Sequence, residues 1–145
     1  MCLDRVASLV TLTAAVLVGL TSPIHGESQL TRTSQSLNAV WAFSISAESE
    51  SWREILVPGP WDNPSARGWY RRRFRLEQPD WPGRMFLRFE QINYEATVFL
   101  NQRQVGYHRD GYFPFEMEIT NTVIRSVAND LAVLVHDETC LRTDH

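Results

Sequence analysis

Short runs in which apolar and polar residues alternate, separated by turn-forming residues, constrain the fold of this chain more than any other feature. In GWYRRRFRL, Tyr70, Arg72 and Phe74 occupy alternate positions, and in DLAVLVHD so do Leu131 and Val133. Side chains of a β-strand point to opposite faces in turn, so a period of two indicates a strand with one buried face. No helical stripe or internal repeat accompanies these runs. The pattern predicts an all-β domain, a sandwich or a jelly roll.

Further runs extend the series of predicted strands and indicate which residues form the core. LNAVWAFSI, EILVPGPW, RMFLRFE and EATVFL read as strands, and RQVGY pairs back across the turn at Asn101-Gln102. Large aromatic side chains supply much of the burial energy of a core. We therefore predict that the following side chains pack inside the domain: Trp41, Phe89, Phe99, Val105, Phe113 and Phe115.

Length and charge restrict the classes of function. A chain of 145 residues with 43% hydrophobic residues is long enough for one domain with its own core. Its net charge of −3 offers no general attraction for nucleic acid or an anionic membrane. The basic run RRRFR does not change this prediction, since alternation sends Arg72 to the face opposite Arg71 and Arg73. We read that run as a solvated, ion-paired sheet face, with no nucleic-acid partner.

The first 26 residues have the composition of a secretory signal peptide. One arginine precedes an uncharged apolar run from Val6 to Leu20, which is followed by small and turn-forming residues up to Gly26. The run is shorter than the roughly 20 apolar residues of a membrane-spanning helix. We predict a signal peptide at 1–26, a polar leader at 27–36 and the domain at 37–145. The mature protein would be secreted or periplasmic, without a membrane segment, and Cys140 would have no internal disulfide partner.

Motifs for chemistry within this chain are absent. His108, His136, His145 and Cys140 lack the close, paired spacing of a zinc site, so we predict no metal and no cofactor. The chain has no nucleophile elbow and no phosphate-binding glycine loop. Glycoside hydrolysis needs two opposed carboxylates, and no two of the seventeen acidic residues are marked as such a pair. No residue is therefore predicted to be catalytic.

The ordered set of runs resembles the N-terminal domain of glycoside hydrolase family 2, the β-galactosidase, β-glucuronidase and β-mannosidase family. The similarity rests on LNAVWAF, ILVPGPW, GWYRRRF, NDLAVLVHD and the long stretch from MFLRFE to PFEMEIT, and covers about Leu37 to Asp137. It implies a jelly roll of galactose-binding type. In the family this sugar-binding domain precedes an immunoglobulin-like domain and a catalytic barrel, which carries both catalytic glutamates and would follow His145.

The resemblance implies a non-catalytic, carbohydrate-associated domain of an exported β-glycosidase. Loops after VPGPW and after LAVLVHD are expected to face the sugar pocket, and the aromatic loop after the hairpin is a further candidate. The candidate sugar-facing or pocket-facing residues are Trp61, Asp62, Arg109, Asp110, Tyr112, His136 and Asp137. Two alternatives remain at this point: an independent carbohydrate-binding module, and a structural domain that docks against a partner protein.

Overall fold

The structure, a computed structural model, describes residues 10–15, 32–59, 65–110 and 113–137. Within these ranges the regular elements are all β-strands, and no helix occurs. The strands are β1 (Val10–Ala15), β2 (Arg32–Ser36), β3 (Ala39–Ser44), β4 (Arg53–Val57), β5 (Arg67–Phe74), β6 (Phe86–Phe89), β7 (Glu95–Leu100), β8 (Arg103–Arg109), β9 (Phe115–Glu118) and β10 (Asn129–His136). The all-β prediction is confirmed.

These strands form two antiparallel sheets. One sheet has four strands in the order β2-β1-β6-β9, and the other has six in the order β4-β3-β5-β10-β7-β8. The central strand β10 pairs with β5 on one side and β7 on the other, although some 55 residues of sequence separate β5 from β10. Strands distant in sequence are therefore brought together in the middle of the six-stranded sheet.

The hydrophobic core takes one face from each sheet. Trp41 is buried on β3 and Phe89 on β6, as the sequence predicts, and β10 contributes Leu131 and Val133 to the same cluster. The Trp41 indole Nε1 donates a hydrogen bond to the Leu37 carbonyl at 2.9 Å, so its only polar atom is satisfied within the core. The period-two runs thus bury the faces predicted for β3, β6 and β10.

The predicted facing of β7 is wrong. Ala96, Val98 and Leu100 are its buried residues, and Phe99 lies half-buried on the opposite face. Antiparallel pairing sets Val98 opposite the buried Val133, and residues opposite each other point to the same side of a sheet. Phe99 therefore points out of the core.

Of three further residues predicted to pack inside the domain, two do so and one does not. Phe113 is 65% exposed and does not pack inside the domain, so its prediction as a packing residue is wrong. Val105 and Phe115 are partly buried against the core, as predicted. Phe115 stacks on Phe89 with ring centroids 5.0 Å apart.

The β7–β8 hairpin turns at Asn101 and Gln102, as the sequence predicts. Both residues have positive φ, 52° and 68° respectively, the conformation that a tight two-residue hairpin turn requires. Farther along β8, Gly106 faces the core and lies so close to the Met117 side chain that a Cβ at this position would collide with it. A larger residue there would require the Met117 side chain to move, since the two sheets pack closely at this point.

The N-terminal part of the chain also contributes strands. The polar leader predicted at 27–36 is part of the fold from Arg32 onward, because β2 occupies its second half. β2 is polar on both faces, which explains why its sequence does not resemble a half-buried strand. β1 pairs with β2 on one side and with β6 on the other, and it falls inside the segment predicted as a signal peptide.

Among the described residues, we find no helix whose length and apolar character would allow it to cross a membrane.

Candidate functional site

Four strands of the six-stranded sheet bring charged side chains into one line across the sheet end. In register, Arg67 on β5 lies opposite His136 on β10, His136 opposite Glu95 on β7, and Glu95 opposite Arg109 on β8. We call these four residues the charged row. All four lie on the outer face of the sheet, since their neighbours Ala96 and Val135 point into the core.

Glu95 is the centre of the charged row. Its Oε1 accepts a hydrogen bond from Arg109 Nε at 3.1 Å, and its Oε2 lies 3.6 Å from His136 Nδ1. The Glu95 side chain is only 17% exposed, compared with 52% for Arg109. The Arg109 guanidinium also lies 5.4 Å from the centroid of the Tyr94 ring. Such partly exposed ion pairs add only about 0.2–1 kcal/mol to stability, so their main effect is to fix the orientation of these side chains.

A shallow cavity of about 450 Å³ opens beside the charged row. Glu95, His136 and Arg67 border it together with Ser65, and Leu134 forms an apolar wall. An apolar wall with a few placed polar groups is the usual construction of a small-ligand site. The cavity offers an acceptor at Glu95 and donors at Arg67 and Ser65, which suits a ligand rich in hydroxyl groups.

Among the described residues, the carboxylate that lines this cavity is that of Glu95. Hydrolysis of a glycoside requires a second carboxyl group across the scissile bond, about 5–10 Å from the first. Over the described ranges, no group of three or more His, Cys, Asp or Glu side chains is arranged to hold a metal ion.

The structure brings two of the predicted site residues together. Arg109 and His136 both contact Glu95, from opposite sides. His136 is the last residue of β10, within the run DLAVLVHD that the sequence predicts as a strand. The strand holds its backbone in the sheet, and its side chain is therefore better fixed than a loop side chain would be.

The two predicted aspartates flank this cluster. Asp110 follows β8, and its amide donates to the Tyr94 carbonyl at 3.1 Å. Asp137 follows β10 and is 4% exposed, with its amide donating to the Ala66 carbonyl at 2.8 Å. Neither aspartate lines the cavity. Trp61, Asp62 and Tyr112 lie outside the described residues, and their assignment stays a prediction.

Sequence reasoning missed Glu95 and Arg67, and the cause is identifiable. Glu95 and Phe99 share a face of β7, so an inward Phe99 implies an inward Glu95 as well. The signal that would have found Glu95 is the apolar set at alternate positions, Ala96, Val98 and Leu100. That set places the carboxylate of Glu95 on the outer face.

The chain combines two antiparallel β-sheets with a surface cavity that, among the described residues, one carboxylate lines. The chain belongs to the family described as "Glycosyl hydrolases family 2, sugar binding domain", which matches residues 56–142. The resemblance inferred from the sequence is thereby confirmed.

Several of the similar proteins are β-glucuronidases. A β-glucuronidase of Bacteroides fragilis is 33% identical over 109 residues, which are 67% of this chain and 16% of that protein. A solved β-D-glucuronidase structure of Dictyoglomus thermophilum is 25% identical with a TM-score of 0.66, covering 80% of this chain and 21% of the other. The Bifidobacterium dentium β-glucuronidase solved with coumarin-3-O-glucuronide is 26% identical with a TM-score of 0.60, covering 69% and 19%. The chain thus matches a small part of each.

Proposed function

We propose that this chain is the N-terminal, non-catalytic domain of an exported β-glycosidase of the β-glucuronidase type. The observation that carries the proposal is the family match over residues 56–142, together with coverage of only 16% of the Bacteroides fragilis β-glucuronidase. The two sheets would form a jelly roll of galactose-binding type, and the partners would be an immunoglobulin-like domain, a catalytic barrel and a carbohydrate.

The charged row has a defined part in this proposal. Glu95 would accept hydrogen bonds from sugar hydroxyls, while Arg109 and His136 hold its carboxylate in place. Charge-assisted hydrogen bonds of this kind contribute about 1.5–3 kcal/mol each. Since Glu95 is the one carboxylate among the described residues that line the cavity, we assign bond cleavage to the barrel and orientation of the sugar to this domain.

The test compares the chain alone with the chain joined to the reading frame that follows His145. Both are assayed on p-nitrophenyl β-glucuronide, β-galactoside and β-mannoside. We expect no turnover from the chain alone and turnover of at least one substrate by the joined protein. Turnover by the chain alone that a single carboxylate substitution abolishes would overturn the proposal, as would a joined protein that is inactive on all three.

The role of Glu95 is tested in the joined protein. Glu95→Gln should raise KM roughly tenfold, the effect of one weakened charge-assisted hydrogen bond, and leave kcat unchanged. Glu116→Gln is the matched control, because Glu116 also lies on a strand and accepts from one arginine, Arg88 at 3.1 Å, but on the other sheet. Equal effects of the two substitutions would contradict a sugar contact at Glu95.

Export is the second part of the proposal, and it requires that the domain keep its fold without β1. Cleavage near Gly26 would remove β1 from between β2 and β6. β2 has other attachments: Gln35 Nε2 donates to the Arg75 carbonyl at 2.7 Å, and the Glu77 amide donates to Gln35 Oε1 at 3.0 Å. These bonds tie β2 to the segment after β5 without any contribution from β1.

Two measurements test the export proposal. Mass spectrometry of protein from the periplasm or medium should find an N-terminus near Glu27. The chain 27–145 should also unfold cooperatively, with Trp41 and Phe89 still buried. An intact Met1 in a cytoplasmic fraction would contradict export. A 27–145 chain without a cooperative transition would indicate that residues 10–15 are a permanent strand of the fold and not part of a removable signal.

A further inference from the structure

A second concavity lies on the outer face of the six-stranded sheet, next to the cavity beside the charged row and lined by different residues. It has a volume of about 540 Å³. Ala42 on β3 and Ala132 on β10 form its floor, and the aromatic rings of Trp69 and Phe99 stand beside them. We call this concavity the outer-face groove. A sheet face that contacts only water is usually polar. The aromatic and small residues that line this groove therefore indicate a surface that binds a ligand.

The two rings meet diagonally across one strand. Trp69 is on β5 and Phe99 on β7, with β10 separating the two strands. In register, Leu134 lies opposite Trp69 and Ala132 opposite Phe99, and the small Ala132 side chain leaves room for the rings to approach along this diagonal. Their centroids are 5.7 Å apart and their planes make an angle of 36°. The pair forms a continuous half-buried aromatic surface along one side of the groove.

An ion pair forms part of the polar rim of the groove. Arg73 donates two hydrogen bonds to Asp130, at 2.9 and 3.3 Å, and the Asp130 side chain is 60% exposed. These hydrogen bonds lower the pKa of the Asp130 carboxyl, so it is an ionised acceptor at neutral pH as an ordinary aspartate is. Across the groove, the Arg71 guanidinium lies 4.5 Å from the Trp52 ring centroid, which restrains the guanidinium. A carboxylate with two donors still has acceptor capacity for ligand hydroxyl groups.

A buried polar network fixes the backbone next to Gln102 and Asp130. Asn101 donates from Nδ2 to Asn129 Oδ1 at 2.8 Å, and Asn101 Oδ1 accepts from the Asp130 amide at 2.9 Å. Asn129 is fully buried, and its side-chain amide also bonds both the N–H and the C=O of Ile124. The backbone positions from which the exposed side chains of Gln102 and Asp130 project are therefore set before a ligand binds.

This combination matches the chemistry of a pyranose. One face of a pyranose ring presents C–H groups of slight positive charge, which suit the negative face of an aromatic ring, and its edge presents hydroxyl groups. A protein partner is less suited, since a stable interface buries about 800 Å² per partner around an apolar centre, and here charged residues border the two rings closely. Nucleic acid is disfavoured by the Asp130 carboxylate and by the net charge of −3.

We propose that the outer-face groove binds a pyranose ring of a glycan, with Trp69 and Phe99 against its C–H face and Gln102 and Asp130 on its hydroxyl groups. This site deepens the proposed function, on which it rests for the class of ligand, because it gives the domain a sugar contact separate from the charged row. It requires neither a barrel nor a second domain.

The test uses the whole chain, labelled with ¹⁵N, and records amide and indole resonances by NMR. The probes are methyl β-D-glucuronide, methyl β-D-glucopyranoside and methyl β-D-galactopyranoside, at up to about 20 mM because a single ring is expected to bind with roughly millimolar Kd. We expect saturable shifts for at least one probe at the Trp69 indole N–H and at the Gln102 side-chain amide. The resonances of Glu95 and His136 should shift less.

Substitutions assign the binding to the groove. Trp69→Ala should weaken binding at least tenfold, and Trp69→Phe, which keeps an aromatic face, should restore most of it. Phe113→Ala removes an exposed aromatic ring outside the groove and should bind as the parent does. Thermal unfolding of each variant guards against loss of fold. Gln102→Ala, at an exposed turn position, tests the rim should Trp69→Ala fail to fold, with an expected loss of several-fold in affinity.

Three results would overturn the proposal. The first is an absence of shifts with all three probes, and the second is binding that shifts Glu95 and His136 and persists in Trp69→Ala. The third is a concentration-dependent shift of Trp69 without sugar, which would indicate association of two copies through this face. If the joined protein hydrolyses glycosides and the groove binds nothing, only the groove proposal fails. If the groove binds and the joined protein is inactive, only the proposed function fails.

Discussion

Substituting Phe89 and Phe99 by alanine would show by the loss of stability which of the two side chains points into the core. Both would be truncated to alanine in the full chain. Phe89 is fully buried and stacks on Phe115 at 5.0 Å, whereas Phe99 is half-buried on the outer face and contacts Trp69 at 5.7 Å. The same chemical change therefore removes different amounts of packing at the two positions.

The expected magnitudes follow from burial. Truncating a fully buried phenylalanine costs about 3–5 kcal/mol, since it combines lost burial with a cavity that the surroundings fill only partly. For Phe99, which lies partly buried on the outer face, about 1 kcal/mol of burial is lost, and the ring contact with Trp69 adds about 0.5–1 kcal/mol. We expect about 4 kcal/mol for Phe89→Ala and about 1–2 kcal/mol for Phe99→Ala.

Urea unfolding followed by far-UV circular dichroism measures both values. A difference of about 2–3 kcal/mol is large compared with the total stability of about 5–15 kcal/mol that a domain possesses. Phe113→Ala serves as the control, with an expected change within about 0.5 kcal/mol because the side chain is 65% exposed. Equal destabilisation by Phe89→Ala and Phe99→Ala would refute the outward facing of Phe99, and with it the position of Glu95.

The remaining predictions concern the polar network and the ion pairs. Asn129→Ala should destabilise the chain by about 3–5 kcal/mol in the same urea assay, because it leaves both the N–H and C=O of Ile124 without their partner; a loss below about 1 kcal/mol would contradict this network. Hydrogen bonds from Arg84, and secondly from Thr120, lower the pKa of Glu118 to about 2 from an ordinary 4.5, so the stabilisation is present above about pH 4.5 and is lost as the pH falls towards 2. An NMR titration of the Glu118 carboxyl checks this, and Arg84→Gln should raise the midpoint; an unchanged midpoint would exclude the pair as its cause.

Local pattern was sufficient for most strands. In β3, β5 and β10 the predicted buried faces with Trp41, Tyr70 and Leu131 are those observed. Alternation is a property of the backbone itself, so it can be read without knowledge of any partner strand. The hairpin turn at Asn101 and Gln102 was likewise visible in the sequence, because turn residues lie between two alternating runs.

The facing of β7 was harder to predict because both of its faces carry apolar residues. The prediction placed the large ring of Phe99 in the core, although the three smaller residues Ala96, Val98 and Leu100 occupy the buried face. β2 was missed for a related reason: its residues are polar on both faces, and only pairing with β1 and anchoring of Gln35 make it a strand. In both cases a neighbouring strand supplied the deciding interaction.

The sequence by itself determined the all-β class, the core of the central strands and the family to which the chain belongs, since these depend on local period and on the order of motifs. Only the tertiary structure decided the charged row and the outer-face groove. The four residues of the charged row come from four different strands. Trp69 on β5 contacts Phe99 on β7 across the intervening strand β10. Such contacts depend on strand order and register, which cross-strand packing sets over the whole sheet and no single stretch of sequence encodes.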